Sequence, residues 1–596
     1  MSDASKERSD DFLKVSSQFK LGALVTEQSH PVTANLSAVT RRDIATGLDL
    51  LFQVDEDVLT KFGEFVASGR AEQIAATVTA AVKAGGKIFF TGCGSTGRLS
   101  ILLDSVWRDF WHQSKNDDYE NRTFSVMAGG DYALIKSVEG FEDYTAFGRK
   151  QLADLDVSAK DVVFAITEGG ETSFVIGTAW EGVGVGARVY FVYNNPDDIL
   201  CEHVQRSREV IQDARIEKLN LTTGPMAITG STRMQATSIQ LCVMLTILEI
   251  VARDLLGTSA KDVPAQFLAS FEAGLATLRS PEFRAQLAKL VALEEKVYRS
   301  GFHNNYHANR FGIDVLTDTT ERSPTYCTPP FRKFDDATAA ESWAYLFVPN
   351  DWTDSAWKNI LKRKPRCVEW DQDELMTLVT ADKLERTLET ISKISSTELM
   401  RYKIGINGLR YRSQGVGDAA VAIISRKDDP ELHWKQLEKA ANAKSKVAQI
   451  YFGHAAAAES AVQLEERIPG AITVFVPVPE TIFVLDGITR LMVKLVMNTL
   501  STCTMVRLGR VLGNYMVWVV PSNLKLIDRA TRYITRLTGQ DYEPANELLF
   551  EIIEYVEPRM KSDQAYPPVV AMAVLRAKEN VSNPEAERRL KDNPLH

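Results

Sequence analysis

Gly92-Cys93-Gly94-Ser95-Thr96-Gly97-Arg98 has the residue types of an anion-binding turn. It follows the β-branched and aromatic run Lys87-Ile88-Phe89-Phe90-Thr91. It precedes Arg98-Leu99-Ser100-Ile101-Leu102-Leu103, which opens a helix. Such a turn aims backbone N–H groups and the positive end of a helix dipole at one point. The hydroxyls of Ser95 and Thr96 add donors. Gly92, Gly94 and Gly97 keep the spacing of dinucleotide turns, but that spacing alone is weak evidence, and the GK[ST] ending of a Walker loop is absent. A tight strand-to-helix turn with no ligand is the alternative. A second glycine turn, Thr167-Glu168-Gly169-Gly170-Glu171-Thr172, offers hydroxyls at Thr167 and Thr172.

Strands and helices must hold these turns. Arg122 to Met127, Asp161 to Ile166 and Ala187 to Val192 read as further strands, each followed by a turn and a helical stretch. That alternation predicts an α/β fold with doubly wound, mostly parallel sheets and flanking helices. Ligands in such sheets collect at the carboxyl ends of the strands, where all these turns fall. At 596 residues the chain exceeds one core, and its second half echoes the first. Glu295-Lys296-Val297-Tyr298-Arg299-Ser300-Gly301 echoes the first strand and its turn. Gly487-Ile488-Thr489-Arg490-Leu491-Met492 echoes Gly230-Ser231-Thr232-Arg233-Met234. The second copy's turn, read as Phe302 to His307, lacks the glycines. The expected organisation is an arm at 1–50, one α/β unit at 51–257, a second at 258–504, and a C-terminal all-helical lid at 505–596 that caps the second unit.

Bulk properties narrow the classes. A net charge of −9 argues against nucleic-acid binding. The six cysteines have no CxxC pair and the eight histidines no HExxH, so neither a metal nor a disulfide framework is expected, and no cofactor. Leu241 to Leu248, the most apolar stretch, is far short of the roughly 20 residues of a membrane span. The charged N-terminus lacks a signal-peptide core, so a cytoplasmic location is expected.

The ordered motifs then carry a resemblance. Gly92 to Leu99 looks like the phosphosugar loop of sugar isomerase (SIS) domains. With it run Leu24-Val25-Thr26-Glu27-Gln28, Ala128-Gly129-Gly130, Val138-Glu139-Gly140-Phe141-Glu142-Asp143, Asn195-Pro196, Thr223-Gly224-Pro225, Thr229-Gly230-Ser231-Thr232-Arg233-Met234, Asn498 to Thr502 and Leu508-Gly509-Arg510. Together they resemble the family of the glucokinase regulatory protein and the bacterial N-acetylmuramic acid 6-phosphate etherases. The length is similar to the regulatory layout, two tandem SIS domains with a helical lid, which implies a monomeric pseudo-dimer.

The resemblance implies site residues. In the etherases one glutamate near the end of the loop helix acts as acid and a second, in the VEGxED segment, as base. Val106 stands at the first unit's acid position. Asp318-Thr319-Thr320-Glu321-Arg322-Ser323 resembles the acid segment, so Glu321 matches the acid and Glu142 the base. A composite site, one per chain, follows. Its expected ligand-holding residues are Gly92, Gly94, Ser95, Thr96, Gly97, Glu139, Thr167, Thr172, Thr232, Arg233 and Lys494. The expected function is regulatory: sensing a hexose or amino-sugar 6-phosphate between the two units, with a sugar kinase as partner. The alternative is a lyase releasing D-lactate from N-acetylmuramic acid 6-phosphate. An aldose–ketose isomerase fits less well, because no histidine falls in the matched motifs. Glu168 and Glu171 depart from the family, since carboxylates beside a phosphate repel it. Either they point away while Thr167 and Thr172 donate, or the ligand is less anionic or carries an amine, or the site is lost.

Overall fold

The computed structural model describes residues 2–16, 21–138, 140–412, 414–562 and 564–592. Its first sheet comprises β1 (Ile88–Gly92), β2 (Thr123–Met127), β3 (Val162–Ile166), β4 (Arg188–Tyr193) and β5 (Ile216–Asn220). They lie in the order β2-β1-β3-β4-β5, every pair parallel. The second sheet comprises β6 (Asn304–Ala308), β7 (Ala344–Phe347), β8 (Ala419–Ser425), β9 (Lys446–Gly453) and β10 (Ile472–Pro477), again all parallel. Its order, β7-β6-β8-β9-β10, repeats the first strand for strand. The fold is thus the α/β pair of tandem doubly wound sheets with a helical C-terminal region. β1 and β3 are buried throughout, as strands covered on both faces must be, which is why they read as unbroken apolar runs.

The second unit's first strand is not where the sequence pattern put it. Glu295 to Arg299 is the end of a long helix, Pro281–Arg299, and the strand begins inside the segment read as its turn. Ser280 caps that helix by accepting from the Phe283 N–H, and Pro281 occupies its first turn. The strand itself, Asn304-Asn305-Tyr306-His307-Ala308, is fully buried yet mostly polar. Glu294 makes this tolerable by accepting from Asn304 Nδ2 at 2.7 Å and from the Tyr306 hydroxyl. The true counterpart of the glycine turn is therefore Asn309-Arg310-Phe311, which leads into the helix Gly312–Tyr326.

Two long helices, Gln235–Leu256 and Gly487–Arg507, are buried for most of their lengths between the units. The helix Ile44–Ala67 runs through residue 50 and Gly487–Arg507 through residue 504. Four helices, Leu524–Thr538, Tyr542–Lys561, Val569–Glu579 and Asn583–Asp592, form the lid. The first of them does not cap the second unit. It lies over the arm and the first unit, because its buried cations find anions there: Arg529 and Arg532 both pair with Glu27 of the arm, at 2.5 and 2.9 Å, and Lys525 with Glu171 of the first unit at 2.8 Å. The N-terminal helix Asp3–Ser16 joins the lid, with Phe12 against Phe550 and Ser9 donating to Asn546 at 2.7 Å. Among the described residues no helix is long and apolar enough to cross a membrane.

Candidate ligand-binding site

β1 ends at Gly92, and a side chain there would overlap the Thr96 carbonyl carbon. Gly97 is held just as tightly, since a Cβ would stand 2.6 Å from Met127 Cγ. Thr96 spends its hydroxyl within the turn, donating to the Cys93 carbonyl at 2.9 Å and accepting from the Cys93 N–H at 3.0 Å. Gly92, Thr96 and Gly97 thus build the turn and do not line the cavity before it. Gly94 and Ser95 do line it. Gly94 adopts φ +56 and an added Cβ there meets nothing within 4 Å. The helix Ser95–Gln113 begins at this point, and its first N–H groups have no acceptor within the helix. Gly92→Ala is expected to cost about 1–3 kcal/mol through backbone overlap, read as a lower denaturation midpoint, and Gly94→Ala should cost a similar amount, about 1–3 kcal/mol, through strain at φ +56 and ψ −124.

The second turn answers the question its carboxylates raise. Glu171 turns to cations, pairing with Arg206 at 2.6 Å and with Lys525 of the lid at 2.8 Å. Burial alone would raise its pKa, but Lys525 and Arg206 outweigh that and hold it down at about 2. Glu168 does face the cavity. Burial pushes it up to about 7, against the opposing pull of Lys525, so at neutral pH it carries its proton much of the time. Thr167 is wholly buried and bonds Thr172 at 3.2 Å, while Thr172 reaches the cavity wall.

The second unit and the lid complete the walls. Glu321 accepts from Arg98, whose guanidinium also reaches Thr320 Oγ1 at 3.2 Å and the Ala133 and Leu134 carbonyls. Glu142 accepts from Asn523 of the lid at 2.7 Å and from the Cys93 thiol at 3.4 Å. Asp143 beside it is pushed up to about 6 by burial and by Glu142 and Glu171. Thr232 and Arg233 line the cavity, with Arg233 tied to Asp318 at 3.3 Å and to Ser501 and Thr502. Lys494 does not line it. Its ammonium donates to the Arg233 and Met234 carbonyls at 3.0 and 2.9 Å and faces a separate chamber of about 50 Å3. Burial lowers it to about 8. Glu139 lies outside the described residues. The whole cavity measures about 930 Å3.

The pseudo-symmetric position is occupied by protein. Arg310, in the counterpart turn, pairs with Asp109 and Asp486, each at 3.4 Å. Arg490, the echo of Arg233, pairs with Asp314. Val106, at the acid position, is core. Sequence reasoning missed the lid's contribution, Asn523 and Lys525. The two meet residues several hundred positions away, and nothing local marks them. Among the described residues no group of three or more His, Cys, Asp or Glu is placed to hold a metal.

The chain is similar to several known proteins. The family model of the glucokinase regulatory protein N-terminal SIS domain matches residues 71–180. The N-acetylmuramic acid 6-phosphate etherase of Serratia proteamaculans is 31% identical over 225 residues, 38% of this chain and 68% of that protein. The etherase of Thermosynechococcus vestitus is 33% identical over 215 residues, 36% of this chain, and the chain spans 63% of that relative's length. Among solved structures, the C-terminal domain of glucosamine-fructose-6-phosphate aminotransferase from Francisella tularensis aligns at 12% identity and a TM-score of 0.37, over 76% of this chain and 96% of that one. Two like sheets around one glycine turn define a tandem SIS-domain protein. The chain belongs to the family of the glucokinase regulatory protein and the N-acetylmuramic acid 6-phosphate etherases.

Proposed function

We propose that the protein is a sugar-phosphate sensor. A hexose or amino-sugar 6-phosphate sets its phosphate at Gly94 and Ser95, on the first turn of the helix Ser95–Gln113. Glu142 and Glu321 accept hydroxyl hydrogens from the sugar. The observation that carries this reading is the lid's own contact with the site: Asn523 bonds Glu142 and Lys525 pairs with Glu171. A ligand between those groups binds differently to closed and open lids, and that difference is what shifts a population. The readout is a lid surface met by a partner protein, for which a cytoplasmic sugar kinase is the proposed partner. The working unit is the single chain, with Arg310 filling the second position.

The second reading is the lyase that releases D-lactate, as the relatives' name suggests. It is favoured by the convergence of Glu142 and Glu321 on one cavity. Elimination needs Glu142 to take the proton beside the ether and Glu321 to protonate the departing oxygen. The contacts suit the sensor better. Glu321 accepts from Arg98 and Glu142 from Asn523, so both carboxylates are set as acceptors.

A thermal-shift panel of fructose, glucosamine and N-acetylmuramic acid 6-phosphates tests the sensor. Ligand at a hundred times its Kd should add about 2.7 kcal/mol and slow amide exchange in Leu524–Thr538. No stabilisation by any of the three removes the reading. D-lactate formed from N-acetylmuramic acid 6-phosphate, and lost in Glu142→Gln, would establish the lyase instead.

A further inference from the structure

The cavity continues past Glu321 into a chamber walled by the second unit and the lid, with Cys327, Pro330, Trp343, Trp518 and Tyr566 on its sides. Arg510 stands in this wall, only 6% exposed. Its guanidinium is clamped between two indoles, 3.9 Å from the Trp518 centroid and 4.3 Å from that of Trp343. Nη1 donates to the Tyr326 and Cys327 carbonyls. No carboxylate among the described residues pairs with it, and burial pulls its pKa down to about 10.

That isolation sets Arg510 apart from the other arginines of the cavity. Arg98 has Glu321, Arg233 has Asp318 and Arg529 has Glu27. A buried cation without an anion is costly, and proteins rarely keep one without use. The Nη1 side of Arg510 is spent on carbonyls and both faces on indoles, which leaves the Nε and Nη2 edge. That edge is the fork that grips a planar carboxylate with two parallel hydrogen bonds.

We infer that the Arg510 chamber is a carboxylate subsite. The carboxylate is either a substituent of the sugar phosphate held at the glycine turn or a separate small acid. Tyr326 and Cys327, which anchor Arg510, lie five and six residues beyond Glu321 in sequence, about 7.5–9 Å at helical rise. One ligand of sugar-phosphate size spans both groups. The bridging form rests on the sugar-phosphate reading; the separate-acid form does not.

Calorimetric titration of the wild type, Arg510→Met and Arg510→Lys tests it with matched pairs. Glucitol 6-phosphate and 6-phosphogluconate differ only in a terminal carboxylate. N-acetylglucosamine 6-phosphate and N-acetylmuramic acid 6-phosphate differ by the lactyl acid. Gluconate and D-lactate supply the acid without phosphate. The wild type should favour the acidic member of at least one pair by roughly ten- to a hundredfold. Arg510→Met should erase that preference and leave the neutral member's affinity unchanged. Arg510→Lys, which keeps charge but not the fork, should retain part of it and guards against a misfolded variant. Gluconate or lactate binding that Arg510→Met abolishes supports the separate acid, and decides the matter if no sugar phosphate binds. A preference that survives Arg510→Met, or no preference and no acid binding, overturns the subsite.

Discussion

Arg98→Met is expected to lower stability by about 3–5 kcal/mol, the usual result of breaking one side of a buried ion pair. Arg98 is 1% exposed and its partner Glu321 10% at the side chain, so removal of the guanidinium leaves a carboxylate with little water to turn to. The loss is not local to the turn. Arg98 stands in the first unit's loop helix, Glu321 in the second unit's Gly312–Tyr326, and the same guanidinium holds the Ala133 and Leu134 carbonyls. One side chain therefore fixes the glycine turn against the opposite wall of the cavity. Glu321→Gln in the Arg98→Met background should recover a large part of the loss, because the neutral amide no longer needs the cation. Urea denaturation of the wild type, both single variants and the double variant gives the coupling. Since a chain of two units need not unfold in one step, the transition is followed separately by tryptophan emission and by circular dichroism. A loss below about 1 kcal/mol, the scale of an exposed pair, would show that the pair does not hold the units together.

What the sequence made legible follows from where the chemistry is local. β1, the turn at Gly92 and the helix after it are successive residues, and their apolar and glycine patterns state the geometry directly. β3 and β4 were readable for the same reason, being runs of apolar and aromatic residues, and β2 by its Phe124, Val126 and Met127. β6 was not, because its Asn304 and Tyr306 are compensated by Glu294, ten and twelve residues away on a preceding helix. Polar strands of this kind have no pattern until their partners are known. β5 hid similarly, with Glu217 and Lys218 only half-buried at the sheet edge. In the site, the composite of Gly94, Glu142 and Glu321 came from motif order rather than physics. Lys525 and Asn523 could not be reached at all: Asn523 meets Glu142 across 381 positions. The lid expected to cap the second unit is helical, but the packing of its first helix is set by Glu27 of the arm and by Glu142 and Glu171 of the first unit. Lys494, placed near the ligand by sequence order, gives its protons to the Arg233 and Met234 carbonyls and to the Ser238 hydroxyl, contacts that no sequence pattern announces.

Glu168 should make ligand binding weaken as pH rises above about 7, and Glu168→Gln should abolish that weakening. Its pKa stands raised, from the ordinary 4.5 to about 7, chiefly by burial. For a raised carboxyl the sign is fixed: the associated stability is full below about 4.5 and is lost as pH rises through 7. Glu168→Gln removes that loss, so the variant should gain on the wild type between these values, by on the order of 3 kcal/mol at pH 8. Binding follows the same proton. A phosphate beside the cavity wall favours protonated Glu168, so the wild-type complex takes up a proton above pH 7. Its affinity should then fall by up to about tenfold per pH unit. Below roughly pH 6 the phosphate itself gains a proton and loses charge, which places the tightest binding between about 6 and 7. Glu171 adds nothing to this profile, because Lys525 and Arg206 keep it ionised throughout. Asp143, raised to about 6, titrates lower and remains in the variant, so a residual slope in Glu168→Gln belongs to it and to the phosphate itself. Calorimetry at pH 7.5 in buffers of different ionisation enthalpy reads the proton directly. Uptake in the wild type and none in Glu168→Gln is the expected result; equal uptake in both would mean that the carboxyl facing the ligand does not govern it.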